Sequence, residues 1–382
     1  MKVVQILIDG FHPDYTQKEL LDLDHVSQLY SGYVKIDSKF PRLKRLNSPY
    51  MWGRTLAGPE FPRTLEGYNP NHTNLQSAND QGYMSINPSD WIWNKLSKKG
   101  IKSFIFPYYL IEAIPIENIL SDDCSSLATI YAREYSEKEY RLIRNDHDYR
   151  ILAECAVYHA ICDNFDYNYG MSKQEVASLR NAWMNYSEDT QSQFDEMIEL
   201  VKSRMVPKVL QDLSTNDRII QNEMLRELKA VLKPTDPGSY TFLGFVESDA
   251  IEHYALPYAE VFDKFRAMMN SVVDYLDAEI HPDILIIHGD HNMVRSDELQ
   301  KPYKAEFDYD GVHYHTHKAG YNHFPMYTDH GNRVGGYVFY RDTNQKELVE
   351  KLLDTDDLVI DRLRSWILNE VFREESNNEV SD

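Results

Sequence analysis

Cysteine is almost missing: Cys124, Cys155 and Cys162 are the three in 382 residues. An odd count without C-x-x-C spacing supports neither a disulfide scaffold nor a structural zinc site, and leaves buried free thiols as the expectation. Glycine and proline are sparse, 16 of each, so collagen-like and low-complexity classes drop out. No run approaches the ~18 consecutive apolar residues of a membrane span. Positive charge is short as well, 40 Lys and Arg against 61 Asp and Glu, for a net charge of -21. That balance opposes capture by nucleic-acid phosphates or an anionic membrane surface, so neither a polynucleotide nor a membrane is an expected partner. The opening segment MKVVQILIDG reaches Asp9 without the long apolar stretch and cleavage site of a signal peptide, which makes the cytoplasm the expected compartment.

What is present is the composition of a folded chain. Hydrophobic residues make up 42% and aromatics 12%, with 27 tyrosines, far from a disordered profile. The length allows two domains, or one α/β core carrying a large insertion.

The first hundred residues alternate strand and helix. VVQILI is short, β-branched and closed by Asp9-Gly10, which predicts a buried strand over 2–8. Thr16 is placed to cap a helix through QKELLDLDHVSQLY that Gly32 stops. DWIWNKLSKK predicts a helix ending at Gly100 and leading into the strand IKSFIF. Alternation of this kind argues for a mostly parallel central sheet flanked by helices. Residues 120–238 change character to long polar-and-apolar segments with few glycines, and read as a helical insertion or cap. KPTDPG at 233–238 breaks them, and YTFLGFV starts the return to the sheet. The predicted α/β core is therefore 1–119 with 239–373, including a helix VFDKFRAMMNSVVDYLDAEI, strands DILIIHGD and GGYVFYR, and a closing helix LVIDRLRSWILNEVF. The tail 374–382 is charged and reads as frayed.

Three buried strands run directly into acidic and imidazole residues: LIDG at Asp9, FVESDAIEH at Asp249 and His253, and IIHGDH at Asp290 and His291. Any one of these has an ordinary reading as a turn, a cap or a satisfied polar residue. Ligands of open α/β sheets bind at the carboxyl ends of strands, so three such ends together point to a shared site. Mixed oxygen and nitrogen donors suit zinc or manganese, and two such ions can clamp an in-line displacement at phosphorus. Asp249 and His253 stand i, i+4, which one helical turn brings to one face.

With an early Asp-Gly after the first strand, an Asp-x-x-x-His, a later Asp-His and a last His-Gly before a strand, the chain resembles the alkaline phosphatase superfamily, especially its nucleotide pyrophosphatase/phosphodiesterase branch. The resemblance covers roughly 1–110 and 239–345. It implies that Asp9, Asp290 and His291 hold one divalent ion beside the nucleophile, and that Asp249, His253 and a final His hold the other. Of His313, His315, His317, His323 and His330, the last fits the closing His-Gly, with His317 second. The family's nucleophile is a Ser or Thr at a helix start, where backbone N–H groups favour an anion. Ser48 meets that requirement, followed by Pro49 and YMWGRTLA and closed by Gly58. Thr55 is the alternative, because LEGYNPNH at 65–72 resembles a stretch that follows the family's nucleophile, although LAGPEFP forbids a helix starting at Thr55. Arg54 and Arg63 are candidate phosphate contacts. Asn292 replaces the family's usual glycine after Asp-His, a change that a left-handed backbone at Asn would tolerate.

The implied activity is two-metal hydrolysis of phosphate esters, phosphodiesters or nucleotide pyrophosphates through a covalent Ser or Thr intermediate. A phosphomutase or a phosphonate hydrolase is the neighbouring chemistry, and a non-catalytic metal-binding interaction module is the other class. The expected partner is a small phosphorylated substrate, with nucleotides included because Tyr68, Trp91 or Tyr108 could stack on a base.

Overall fold

The computed structural model describes residues 1–40, 48–58, 88–107, 124–126, 232–233, 235–245, 259–295, 306–309, 312–315, 328–355 and 358–373, with isolated positions 207, 210, 228, 248 and 252. Its centre is a seven-stranded sheet. The strands are β1 (Lys2–Ile8), β2 (Gly32–Lys39), β3 (Lys102–Pro107), β4 (Cys124–Ser126), β5 (Ser239–Phe245), β6 (Ile284–His288) and, later in the chain, β11 (Arg333–Tyr340). They lie side by side in the order β2-β11-β6-β1-β5-β3-β4. β1 runs parallel to both β5 and β6, and β3 runs parallel to β5 and β4. β11 alone is reversed, antiparallel to β6 and to β2. The α/β class with a mostly parallel sheet is thus as the sequence pattern predicts.

β1 is central because it is apolar on both faces, buried from Val3 to Ile8, as parallel strands covered on two sides must be. One face joins Val3, Leu7, Tyr240, Phe242, Ile284 and Ile286 to helices α3 (Ser48–Ala57), α4 (Ile92–Ser97), α6 (Thr343–Leu353) and α7 (Val359–Trp366). Val4, Ile6 and Ile8 alternate to the other face and are equally buried. The layer there comprises α1 (Gln17–Leu20), α2 (Leu23–Gln28) and α5 (Ala259–Ile280), with α5 packed on both short helices. α5 buries nine apolar residues at helical spacing, among them Phe265, Met269, Val272 and Leu276. Truncating one such Phe to Ala costs about 3–5 kcal/mol.

Several elements differ from expectation. The helix predicted after Thr16 is two helices, because Leu21 is extended and Asp22 caps α2 by accepting the His25 N–H at 3.1 Å. Thr16 makes no side-chain cap. β2 and α6 were not foreseen. β4 is a strand at the start of the range expected to be helical, and it lengthens the sheet past 119. The remainder of the expected helical insertion falls almost wholly outside the described residues. Two small sheets complete the fold: β7 (Met293–Arg295) with β10 (Thr328–His330), and β8 (Glu306–Tyr309) with β9 (Val312–His315). No helix among the described residues is long and apolar enough to cross a membrane.

Candidate metal centre at the carboxyl edge

The chain leaves β5 through α5 and returns as β6 on the opposite side of β1. That change of side is a topological switch point, and ligands of open α/β sheets bind at such points, outside the carboxyl ends of the strands. Asp9 follows β1 directly, and Asp290 and His291 lie just beyond β6. One ligand atom from each of these three residues lies within 4.8 Å of the other two, and all three residues are buried. His291 Nε2 is 3.0 Å from Asp9 Oδ1 and 3.8 Å from Asp290 Oδ1.

Backbone ties hold the arrangement. The Asp9 N–H donates to Phe245 O at 2.8 Å, which continues the β1–β5 pairing one residue further. Asp290 Oδ1 accepts the N–H of Gly10 at 3.2 Å and of His291 at 3.1 Å, so the carboxylate is oriented by the turns it joins. Gly10 has φ +77°, open to glycine at no steric cost. Thr16, freed from capping, braces that turn: Oγ1 accepts the His12 N–H at 2.8 Å and donates to Gly10 O at 3.0 Å. Buried Ser248 donates from Oγ to Asp9 O at 2.5 Å, binding the segment after β5 to the same point.

Asn292 closes the side toward β11. It is buried, its backbone carbonyl accepts the Gly331 N–H at 2.6 Å, and its Oδ1 accepts the Arg333 N–H at 2.8 Å. Its role is this clamp; among the described residues His281 is the single non-glycine with positive φ, so Asn292 does not use the left-handed backbone expected of it. β10 pairs with β7 so that His330 lies opposite Met293, two positions past His291. The backbone of His330 therefore runs beside the Asp290-His291 segment.

The other sequence candidates fall as follows. Asp249, His253, Arg63, Tyr68, Tyr108, His317 and His323 lie outside the described residues. Ser48 opens α3, and Gly58, at φ +125°, follows its last residue, with its N–H on Arg54 O at 3.1 Å. Thr55 is buried in that helix and donates from Oγ1 to Met51 O at 2.7 Å. Arg54 makes a two-pronged ion pair with Asp361, NH2 to Oδ2 at 2.6 Å and Nε to Oδ1, and lies over the Phe40 ring. A phosphate would have to compete with that carboxylate. Trp91 is fully buried and stacked on Trp93, ring centroids 4.7 Å apart, so it is core and not a base platform.

Contacts between α3 and α7 run in the same sense, Arg54 with Asp361 and Arg364 with the Leu56 carbonyl. α7 begins at the carboxyl end of β2, where the Ile360 N–H donates to Ser38 Oγ at 3.1 Å. β2 is parallel to β6 through β11, so this is the same edge of the sheet as Asp9. The start of α3, six residues before Arg54 and about 9 Å along the helix, is thereby directed toward that edge.

Two buried polar arrangements escaped the sequence reading. His12 donates from Nε2 to Asp37 Oδ1 at 3.3 Å, accepts the Asp14 N–H on Nδ1 at 3.1 Å, and shares Asp37 with Arg333. Burial lowers the His12 pKa against the pull of Asp37. Burial acts to raise Asp37, but hydrogen bonds from Arg333 and His12 outweigh it and hold the carboxyl below its usual range. Beneath the metal candidates, Tyr240 OH donates to Gln5 Oε1 at 2.8 Å, and Gln5 Nε2 lies 2.9 Å from His288 Nε2. His288 Nδ1 lies 2.7 Å from Gly289 O, which requires the proton on Nδ1 and leaves Nε2 to accept from Gln5. Complete burial pushes the His288 pKa down to about 4. A Gln inside the strand VVQILI was the only sign of this chain of bonds.

No protein-family model and no curated protein matches this chain. Solved structures that it is similar to include the alkaline phosphatase of the Antarctic bacterium TAB5, at 10% identity over 89% of this chain and 90% of that one, TM-score 0.39. Others are phosphonoacetate hydrolase from Sinorhizobium meliloti 1021, at 12% over 77% and 57%, TM-score 0.36, and murine ectonucleotide pyrophosphatase/phosphodiesterase 5, at 10% over 90% and 88%, TM-score 0.41. Likenesses this faint add nothing to the chemistry of the site, which stands on the chain's own residues and strand order.

Proposed function

We propose that this protein is a divalent-metal-dependent hydrolase of small phosphate esters, phosphodiesters or nucleotide pyrophosphates. The observation that carries the reading is the meeting of Asp9, Asp290 and His291, from two neighbouring central strands, within 4.8 Å. Two carboxylates and one imidazole fit a zinc or manganese ion, since calcium and magnesium favour oxygen alone. Asp249, His253 and His330 are proposed to hold a second ion; the register of His330 opposite Met293 supports its inclusion. When bound, such ions neutralise phosphoryl oxygens and lower the pKa of a hydroxyl beside them.

The chain's own groups supply the rest. Ser48 is the proposed nucleophile at the first turn of α3, whose backbone N–H groups and dipole favour the anionic substrate there. Asp290 is pre-oriented by two backbone N–H groups, so little reorganisation accompanies ligand binding. Asp9 is fixed through its carbonyl by Ser248 and through its N–H by Phe245. Arg54 is left out of the proposed substrate contacts because of its pairing with Asp361; Arg63 remains one.

The test is hydrolysis of p-nitrophenyl phosphate, bis-p-nitrophenyl phosphate and a dinucleotide by protein freed of metal and then given zinc or manganese. Turnover that depends on added metal and is lost in Asp290→Asn is the expected result. A protein that binds no divalent ion, or is equally active without one, overturns the proposal.

A further inference from the structure

The turn after β1 belongs to a circuit of hydrogen bonds that starts and finishes on the segment from Asp290 to Asn292. Asp290 Oδ1 accepts the Gly10 N–H at 3.2 Å. The Gly10 carbonyl accepts from Thr16 Oγ1 at 3.0 Å, and that oxygen accepts the His12 N–H at 2.8 Å. The His12 side chain then leaves the turn: Nε2 donates to Asp37 Oδ1 on β2 at 3.3 Å, and the same oxygen accepts from Arg333 Nε on β11 at 3.2 Å. The Arg333 backbone N–H returns to Asn292 Oδ1 at 2.8 Å, next to His291. Because His12 Nδ1 accepts the Asp14 N–H at 3.1 Å, the imidazole proton sits on Nε2, where Asp37 takes it. Burial favours that neutral form. The fit is close: a Cβ at Gly335 would stand 2.7 Å from His12 Nε2 and 2.9 Å from Pro13 Cδ, so the turn lies directly on β11.

We infer that His12 is a positioning residue of the Asp9–Asp290–His291 centre, acting through its bond to Asp37 and the circuit which that bond closes. The inference rests on the metal reading proposed above. Asp9 follows β1 while Asp290 and His291 follow β6, and an ion shared between them needs the two strand ends held at a fixed separation, the task of groups behind the ligands. The Gly10 N–H joins those ends directly, so whatever fixes the Gly10 peptide fixes Asp290. Thr16 secures the turn only to itself, since both of its bonds lie within residues 10–16. The His12 side chain ties the turn outward to β2 and β11, and β11 is in register with β6 up to His288. Lys35 also reaches the turn, at Asp14 Oδ1 and 2.5 Å, but that pair is exposed and such pairs hold little. The His12–Asp37 bond is therefore what sets the turn against the strands around the ligands.

Zinc affinity of the full chain, with cobalt(II) absorption as a report on ligand geometry, tests this. Asp37 is partly exposed on the edge strand β2, so Asp37→Ala should fold, as thermal unfolding checks. Its zinc affinity should fall about tenfold, the lower range for a group acting from behind a ligand, and its cobalt spectrum should change. Asp37→Asn keeps an oxygen to accept from Nε2 and should recover most of the loss. His12→Ala should weaken zinc as Asp37→Ala does, and the double variant should lose no more than either alone, as expected of two groups that act through one bond. Wild-type affinity and cobalt spectrum in folded Asp37→Ala or His12→Ala overturns the inference. Additive losses in the double variant overturn it too, as does an equal loss in Lys35→Ala, which cuts only the exposed pair with Asp14. A wild-type chain that binds neither zinc nor cobalt removes the metal reading itself, and the inference with it.

Discussion

The Gly331 N–H donates to the backbone carbonyl of Asn292 at 2.6 Å, and a Cβ at position 331 would collide with the Asn292 side-chain amide. Gly331 thus exists for close approach between the turn after β10 and the segment that carries His291. Gly331→Ala should push the two apart at a cost of about 1–3 kcal/mol, and weaken metal binding because Asn292 adjoins His291. Chemical unfolding and a zinc titration check both effects. Unchanged values for stability and affinity would show that the turn moves freely and that the clamp has no role.

Ser248 offers a cleaner probe of Asp9. Its hydroxyl donates to the Asp9 carbonyl at 2.5 Å in a fully buried setting, so Ser248→Ala removes one buried bond. The expected loss of stability is about 1–3 kcal/mol. Metal affinity should fall without a change in stoichiometry, since no proposed ligand atom is removed. Loss of a full equivalent of bound ion would mean that Ser248 does more than position Asp9.

The buried bonds of His288 predict an acid-sensitive fold. Its native pKa is about 4 against an ordinary value of 6.5, so between those values the unfolded state binds more protons than the native state. Stability is then whole above about pH 6.5 and falls as the pH drops toward 4, and the loss from this one group reaches about 2 kcal/mol at pH 5. His12, also lowered by burial, adds in the same direction. Urea unfolding at pH 7 and pH 5 should show the decline, and His288→Asn should reduce it. An undiminished slope in that variant would place the acid sensitivity elsewhere.

The parts legible from sequence are those in which one physical demand dominates. β1, β5 and β6 are short, buried and rich in apolar residues because both faces of the central sheet are covered, and β1 and β6 lead straight into Asp9, Asp290 and His291. α3 was legible from Ser48-Pro49 and Gly58, since both termini carry backbone requirements. β2 was not, because an edge strand holds Lys35, Asp37 and Lys39 and its burial alternates weakly. α6 was missed although Asp342 and Gln345 form a capping box at its start. The bonds of Gln5, His12 and Ser248 depend on partners hundreds of positions away or on turns, and no local pattern announces them.

The nucleophile separates two residues of one helix. Ser48 begins α3, and the shared sense of the α3 and α7 contacts directs that end toward the edge of the sheet holding Asp9. Thr55 sits two turns further on, buried, with its hydroxyl given to the Met51 carbonyl at 2.7 Å. Reaching a phosphoryl group from there would require breaking that bond and opening the α3–α7 contact held by Arg54 and Asp361. Ser48→Ala should therefore cost several orders of magnitude in turnover, while metal content stays near wild type because no proposed ligand is altered. Thr55→Val keeps the branched shape and loses one helix-internal hydrogen bond, so it should change stability by about 1 kcal/mol and turnover little. Initial rates with bis-p-nitrophenyl phosphate, measured beside metal content and thermal unfolding for each variant, give the comparison. A folded, metal-loaded Thr55→Val without activity, beside an active Ser48→Ala, would reverse the assignment and require α3 to open during turnover.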